Sequence, residues 1–277
     1  MQMLRVAPSL PALRPFIETL WYFEGDFAHE RERILPTGTQ QLLVNLWEDE
    51  LRTYCDGSGD GSGEGFSSVC RIRGAAISGA YTRAFGIDTE EQRQIVGVVF
   101  RPGGAAPFFA EPQSALRDEH VELERLWGRD GAVLRERLLE APTPAAALRT
   151  LEAVLLEQVV RPLEVDKLVD FSVTAFDRGA SVAQVSARLG MTPRRFLRLF
   201  ERAVGLTPKR YARVRRFGRV LEAVELGQTV DWSRVAAACG YYDQAHLIHE
   251  FNEFAGIRPT LYRPRAPDAR YHALTGA

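Results

Sequence analysis

Between Gly240 and Phe254 the chain reads GYYDQAHLIHEFNEF, in which His246, His249, Glu250 and Glu253 recur at spacings of three and four. On an α-helix those spacings stack side chains along one side. Imidazoles beside carboxylates are ligand types for zinc and similar ions. The same stretch carries groups of another use: Gln244 could pair with adenine in two places, and a histidine can donate to a phosphate or a base acceptor. The rest of the chain decides between these chemistries.

Metal and enzymatic chemistry find little support elsewhere. Of five histidines, only His29 and His120 lie in the front of the chain, about ninety residues apart, too few for a metal-centred barrel. Cys55, Cys70 and Cys239 are an odd number with no close pair, which suits neither a disulfide framework nor a four-thiolate zinc site. The stretch DGSGDGSGE from Asp56 mimics a calcium loop, but Ser67 stands where a bidentate Glu is required. RPGG at Arg101 to Gly104 lacks the full dinucleotide fingerprint and a P-loop lysine, and no Gly-x-Ser-x-Gly elbow occurs. We expect no catalytic residue, no metal and no cofactor.

With 277 residues, 45% apolar and 26% charged, the chain has the composition of a folded protein of two ordinary domains. No run approaches the roughly 18 apolar residues of a membrane span, and the opening residues lack the apolar core of a signal peptide. A cytoplasmic protein with no membrane partner is expected. The net charge of −1 hides a split: from Arg178 onward there are 17 Lys/Arg against 8 Asp/Glu, and 18 against 28 before it. Such asymmetry suggests a polyanion-binding module joined to a module with another task. Only Lys167 and Lys209 are lysines; Arg is the residue that reads phosphates and guanine edges in bidentate fashion.

The elements that must position these residues follow from periodicity. Up to about residue 110, short β-branched and aromatic runs such as QLLVNLW (Gln41 to Trp47) and QIVGVVF (Gln94 to Phe100) predict a sheet or small barrel. Residues 111–162 switch to helical spacing in AVLRERLLEA and AAALRTLEAVLLEQVV, an amphipathic hairpin suited to packing on the sheet or to dimerisation. From 163 to 277 everything reads as helix, and an internal repeat appears: Gly190 pairs with Gly240, Phe200 with Phe251, Gly205 with Gly256, Pro208 with Pro259 and Tyr211 with Tyr262. The fold class predicted is α+β: a β-rich N-terminal domain with a helical hairpin, then an all-α C-terminal domain.

Each copy of the repeat is a short helix, a turn opened by Gly and a second helix, which is a helix-turn-helix. The first is placed at about 181–203 and the second at about 232–254. In such units the second helix enters the major groove while the first braces against phosphates. In copy one, Phe196, Leu199 and Phe200 form the inward stripe, leaving Arg194, Arg195, Leu197 and Arg198 outward. In copy two, Leu247, Phe251 and Phe254 face in, and Gln244, Ala245, His246 and His249 are presented outward. Glu250 and Glu253 then align with Leu199 and Arg202, towards the flank. A helix over 208–226, stopped by Gly227 and carrying Arg213, Arg215, Arg216 and Arg219, joins the copies. At about 27 Å it could hold two recognition helices near the roughly 34 Å spacing of successive major grooves.

GLTPKRYARVRRF and GYYDQAHLIHEFNEFAGIRPTLYR resemble the two most recognisable stretches of the AraC/XylS family of bacterial transcription regulators. ILPTGTQQLLVNL, ISGAYTRAF and VVFRPGGAAPFF are similar to the amino-terminal domain of one subgroup of that family. The resemblance implies sequence-specific binding to duplex DNA, a front domain that senses a small-molecule effector or mediates homodimerisation, and contact with RNA polymerase. The DNA-contacting residues expected are Arg194, Arg195, Leu197, Arg198, Arg202, Gln244, Ala245, His246 and His249, with Arg215 and Arg216 from the joining helix. Trp21, Trp47, Tyr81, Phe85 and Arg101 are the candidates for an effector pocket. His249 stands where relatives carry Arg, so the second unit is expected to grip phosphate less than the first.

Overall fold

A computed structural model describes residues 2–56, 66–224, 229–266 and 269–274. The stretch weighed as a calcium loop and the expected helix stop at Gly227 fall largely outside these. The front of the chain folds into ten strands: β1 (Gln2–Val6), β2 (Ile17–Glu24), β3 (Arg31–Ile34), β4 (Gln41–Asn45), β5 (Glu50–Asp56), β6 (Phe66–Arg73), β7 (Ala75–Ser78), β8 (Phe85–Asp88), β9 (Gln94–Phe100) and β10 (His120–Glu122). Among the described residues they make two antiparallel sheets, one ordered β1-β2-β9-β4-β7-β10 and one running β3-β8-β5-β6.

The alternation in the strands decides what each face meets. In β4, Leu42 and Val44 are fully buried and stand opposite Val98 and Val96 of β9. The opposite face carries Leu43 and Trp21, where Gly97 leaves room for the indole: a Cβ there would lie 2.6 Å from two ring atoms. Three helices, α1 (Leu123–Trp127), α2 (Arg129–Leu139) and α3 (Pro144–Glu157), cover the Leu42/Val44 face with Leu134, Leu138, Leu148, Leu151, Val154 and Leu155. Of the two roles open to the hairpin, packing on the sheet is thus one it performs. Each such side chain taken from water stabilises the fold by roughly 1.5–3 kcal/mol.

The back of the chain is helical: α4 (Lys167–Asp177), α5 (Val182–Arg188), α6 (Pro193–Val204), α7 (Pro208–Ala223), α8 (Trp232–Cys239) and α9 (Gln244–Ala255). Gly190 and Gly240 hold φ of +61° and +78° after the first helix of each unit, and Gly205 and Gly256 hold +91° and +66° after the second. These left-handed positions recur at equivalent points of the repeat because a Cβ would be strained there. The partners Tyr211 and Tyr262 are both buried, although Pro208 opens a long helix and Pro259 only a short 3-10 turn. The joining helix ends at Ala223, three residues short of the expected end at 226.

One hydrophobic core serves both halves. Phe176, Phe196, Phe200, Tyr211, Phe217, Phe251 and Phe254 share a cluster with Leu35, Ala80 and Ala84 of the front. The chain then returns: β11 (His272–Leu274) pairs antiparallel with β3, His272 opposite Ile34, and extends the second sheet to β11-β3-β8-β5-β6. Three residues carry too little periodicity to announce this strand in the sequence. It is fixed by Glu32 of β3, which is wholly buried and accepts from His272 Nδ1 at 2.7 Å and from Arg265 Nη1 at 3.2 Å, with His29 Nε2 at 2.6 Å.

Candidate nucleic-acid interface

The first recognition helix, α6, is started by Thr192, whose hydroxyl accepts from the Arg195 N–H, and by Pro193 at its first position, where a missing N–H costs nothing. Phe196 and Phe200 are fully buried, and their aromatic neighbours Phe176 and Tyr211 hold the helix rotation. That rotation leaves Arg194, Arg195, Arg198 and Arg202 exposed, with Leu197 at 41%. None of these four guanidiniums has an ion-pair partner among the described residues. Leu199, expected in the inward stripe, is 38% exposed instead, because the core is filled by Phe196, Phe200 and Val204. It widens an apolar edge beside the arginines.

In the second unit, Asp243 caps α9 by accepting from the His246 N–H at 2.7 Å. Leu247, Phe251 and Phe254 are buried, as the periodicity predicts. Ala245 and His249 are exposed, and the Gln244 side chain, also exposed, accepts from the Ser233 hydroxyl of α8 at 2.8 Å. His246 is half-buried, edge-on to the Tyr241 ring at 5.1 Å, with Nδ1 accepting from the Tyr242 N–H. It is turned inward more than the spacing suggests. Tyr242, which the sequence did not single out, is 92% exposed in the turn before α9.

Two of the expected DNA contacts, Arg215 and Arg216, have partners within the fold. Arg216 donates to Glu250 through Nε at 3.1 Å and Nη2 at 2.6 Å, and its guanidinium lies over the Tyr241 ring at 4.4 Å. Arg215 donates from Nε to Asp177 of α4 at 2.7 Å. Both hold α7 against its neighbours, because the joining helix is packed on several sides and its arginines find carboxylates within the fold.

The carboxylates of the opening motif also face α7. Glu250 is 1% exposed and accepts from Arg213, Arg216 and the Tyr241 hydroxyl. Glu253 accepts from Arg213 and Arg210. Burial alone would raise the pKa of Glu250, but the two arginines outweigh it and hold the carboxyl below its ordinary range. With the glutamates turned onto arginines and His249 turned to solvent, the four side chains do not converge on an ion. Among the described residues no group of three or more His, Cys, Asp or Glu side chains is placed to hold one.

The effector-pocket candidates do not converge either. Trp21 packs on Leu51, Ile72, Ala76 and Ile95; Trp47 is 52% exposed under the Arg93 guanidinium. Tyr81 and Phe85 form a separate buried cluster with His120, whose Nδ1 meets the Tyr81 hydroxyl. Burial pushes the pKa of His120 down to about 3, and its Nε2 is buried without a partner among the described residues. Arg101 is exposed and donates to the Arg14 carbonyl at 3.2 Å. Two surface clefts of about 400 and 380 Å³ lie elsewhere, one between α4 and α5 and one beside Phe27, Arg52 and Thr89. Spacing in sequence fixes which face of a strand a residue occupies, and leaves open which sheet it meets.

Residues 185–265 match a family described as a helix-turn-helix domain, and residues 4–122 match a domain of unknown function (DUF6597). With two such units joined by α7, the back of the chain carries a helix-turn-helix domain. Among solved structures the chain is similar to ToxT from Vibrio cholerae, at 10% identity over 94% of this chain and 97% of that one with a TM-score of 0.43. A ToxT structure bound to (E)-4-(8-methylnaphthalen-1-yl)but-3-enoic acid aligns at 10% identity over 87% and 97%, with a TM-score of 0.44. A DNA-binding transcriptional dual regulator from Escherichia coli K-12 aligns at 21% identity over 37% of this chain and 90% of that one, with a TM-score of 0.29. No curated protein matches the chain.

Proposed function

We propose that α6 and α9 read adjacent major-groove segments of duplex DNA, with most of the base discrimination carried by α6. The single observation behind this is the exposed face of α6, where Arg194, Arg195, Arg198 and Arg202 have no ion-pair partner among the described residues while Phe196 and Phe200 anchor the opposite side. Arg forks match guanine edges and phosphates, and Leu197 offers an apolar contact of the kind that meets a thymine methyl. On α9, Gln244, Ala245 and His249 supply fewer charges, so this unit adds less counterion release.

In this reading the protein works in the cytoplasm, carries out no catalysis and needs no cofactor. Its front domain controls the DNA-binding half, by taking up a small-molecule effector or by pairing with a second copy. Contact with RNA polymerase follows from the family resemblance. The exposed Leu139 and Leu156 of the α2–α3 hairpin support pairing. Binding of the full chain to the DNA upstream of its own gene, titrated against salt, tests the DNA reading. With roughly six to ten phosphate contacts, log affinity should fall with log salt at a slope of about −0.9 per contact; no salt-dependent binding would overturn it.

A further inference from the structure

The second recognition helix is held at two places by groups from the front half. At its C-terminal end the Ala84 N–H donates to the Phe254 carbonyl at 2.7 Å, and the buried guanidinium of Arg33, from β3, donates to the Ala255 carbonyl at 3.3 Å. The last carbonyls of a helix have no partner within it, and a cation there also meets the negative end of the helix dipole. Along its flank, Glu253 pairs with Arg210 of α7, and the same guanidinium donates from Nη2 to the Thr82 carbonyl at 3.3 Å. Thr82 lies between β7 and β8 and is fixed in turn by Asp118, which accepts from its N–H at 2.5 Å and its hydroxyl at 2.9 Å. The helix α6 meets the front differently, through the outlying ion pair of Arg117 with Glu201 and through close backbone packing at Gly205.

We propose that the front half sets the rotation and axial position of α9 through Arg33, Ala84 and the Arg210–Glu253 pair, and so gates the second DNA half-site independently of the first. The inference rests on the reading of α6 and α9 as DNA-contacting helices. A guanidinium shared between Thr82 and Glu253 can serve both only while the β7–β8 connection and α9 keep their present separation, because its N–H groups form a rigid fork. A shift of that connection withdraws one partner from Arg210, and α9 loses a tether that α6 does not use. Gln244, Ala245 and His249 then move together as one face, since all belong to α9.

The test uses the full chain and a duplex that it selects from a random-sequence library, with hydroxyl-radical footprinting of each half-site. Arg210→Met, Glu253→Gln and, in the front half, Asp118→Asn should each weaken protection of the α9 half-site by about tenfold and leave the α6 half-site within about twofold. Arg210→Lys, which keeps a charge for Glu253 and N–H donors for the Thr82 carbonyl, should keep part of the protection that Arg210→Met loses, which a merely general weakening of the fold would not do. Equal loss at both half-sites, or no change at either, overturns the gating. If the unaltered chain protects no half-site, the DNA reading itself falls and the gating with it. Should Asp118→Asn fail to fold, judged by its thermal melt, the Arg210 and Glu253 variants decide alone.

Discussion

The Arg216 guanidinium donates to both carboxylate oxygens of Glu250, from Nε at 3.1 Å and from Nη2 at 2.6 Å, where Glu250 is 1% exposed. A forked pair of this kind is among the stronger polar contacts available, and its loss leaves a charge in a poorly hydrated place. Arg216→Ala should therefore act on stability. Breaking a buried pair costs roughly 3–5 kcal/mol; Arg213 and Tyr241 still serve Glu250, so a loss of about 2 kcal/mol is expected. Urea unfolding of the two proteins measures it.

Arg198→Ala should do the reverse. The side chain is exposed and has no ion-pair partner among the described residues, so the unfolding midpoint should stay where it is. Base preference at one half-site should relax by roughly 1–3 kcal/mol. Competition with single-base variants of the selected duplex reads this out, and a uniform loss on all sequences would make Arg198 a phosphate anchor.

Phe200→Ala removes a ring that has no exposed surface and touches Phe176, Phe196 and Tyr211. The cavity left in a packed core should destabilise the protein by about 3–5 kcal/mol. Differential scanning calorimetry should show a lowered midpoint. Because Leu35, Ala80 and Ala84 of the front lie in the same core, both halves should unfold together in one transition.

Glu32 gives a pH dependence with a definite sign. Burial would raise its pKa, but His272, Arg265 and His29 outweigh burial and hold it at about 2, below its ordinary 4.5. A depressed carboxyl contributes stability above its unfolded value and loses it as protonation proceeds. The contribution, on the order of 3 kcal/mol, should be complete above pH 5 and should fade between about 4.5 and 2. Urea unfolding of Glu32→Gln against the unaltered chain checks this: the gap should narrow as the pH falls, and a constant gap would be the contrary result.

Much of the helical half was legible because two features survive without tertiary context. Glycines at 190, 205, 240 and 256 mark left-handed helix ends, and the buried Phe and Leu positions of α9 repeat at three and four. What was not legible depended on partners far away in sequence. Glu250 and Arg216 are 34 residues apart, and each alone reads as a solvated charge. Leu199 reads as core by spacing, yet the space it would need is taken by its neighbours. In the front half the strands were visible, whereas which aromatics share a cavity depends on how two sheets lie on each other. Trp21 and Tyr81 accordingly sit in different clusters.

The pairing of β3 with β11 joins residues some 240 positions apart. During synthesis β3 emerges early and waits, its outer edge unpaired, until residues 272–274 have left the ribosome. Contacts of that span are slow to form because a long loop must close first. The exposed edge is meanwhile a template for strands of other chains. A segment made some 240 residues later thus seals the edge of β3, so removing residues 272–274 should trap the protein as aggregate before it alters any contact with DNA.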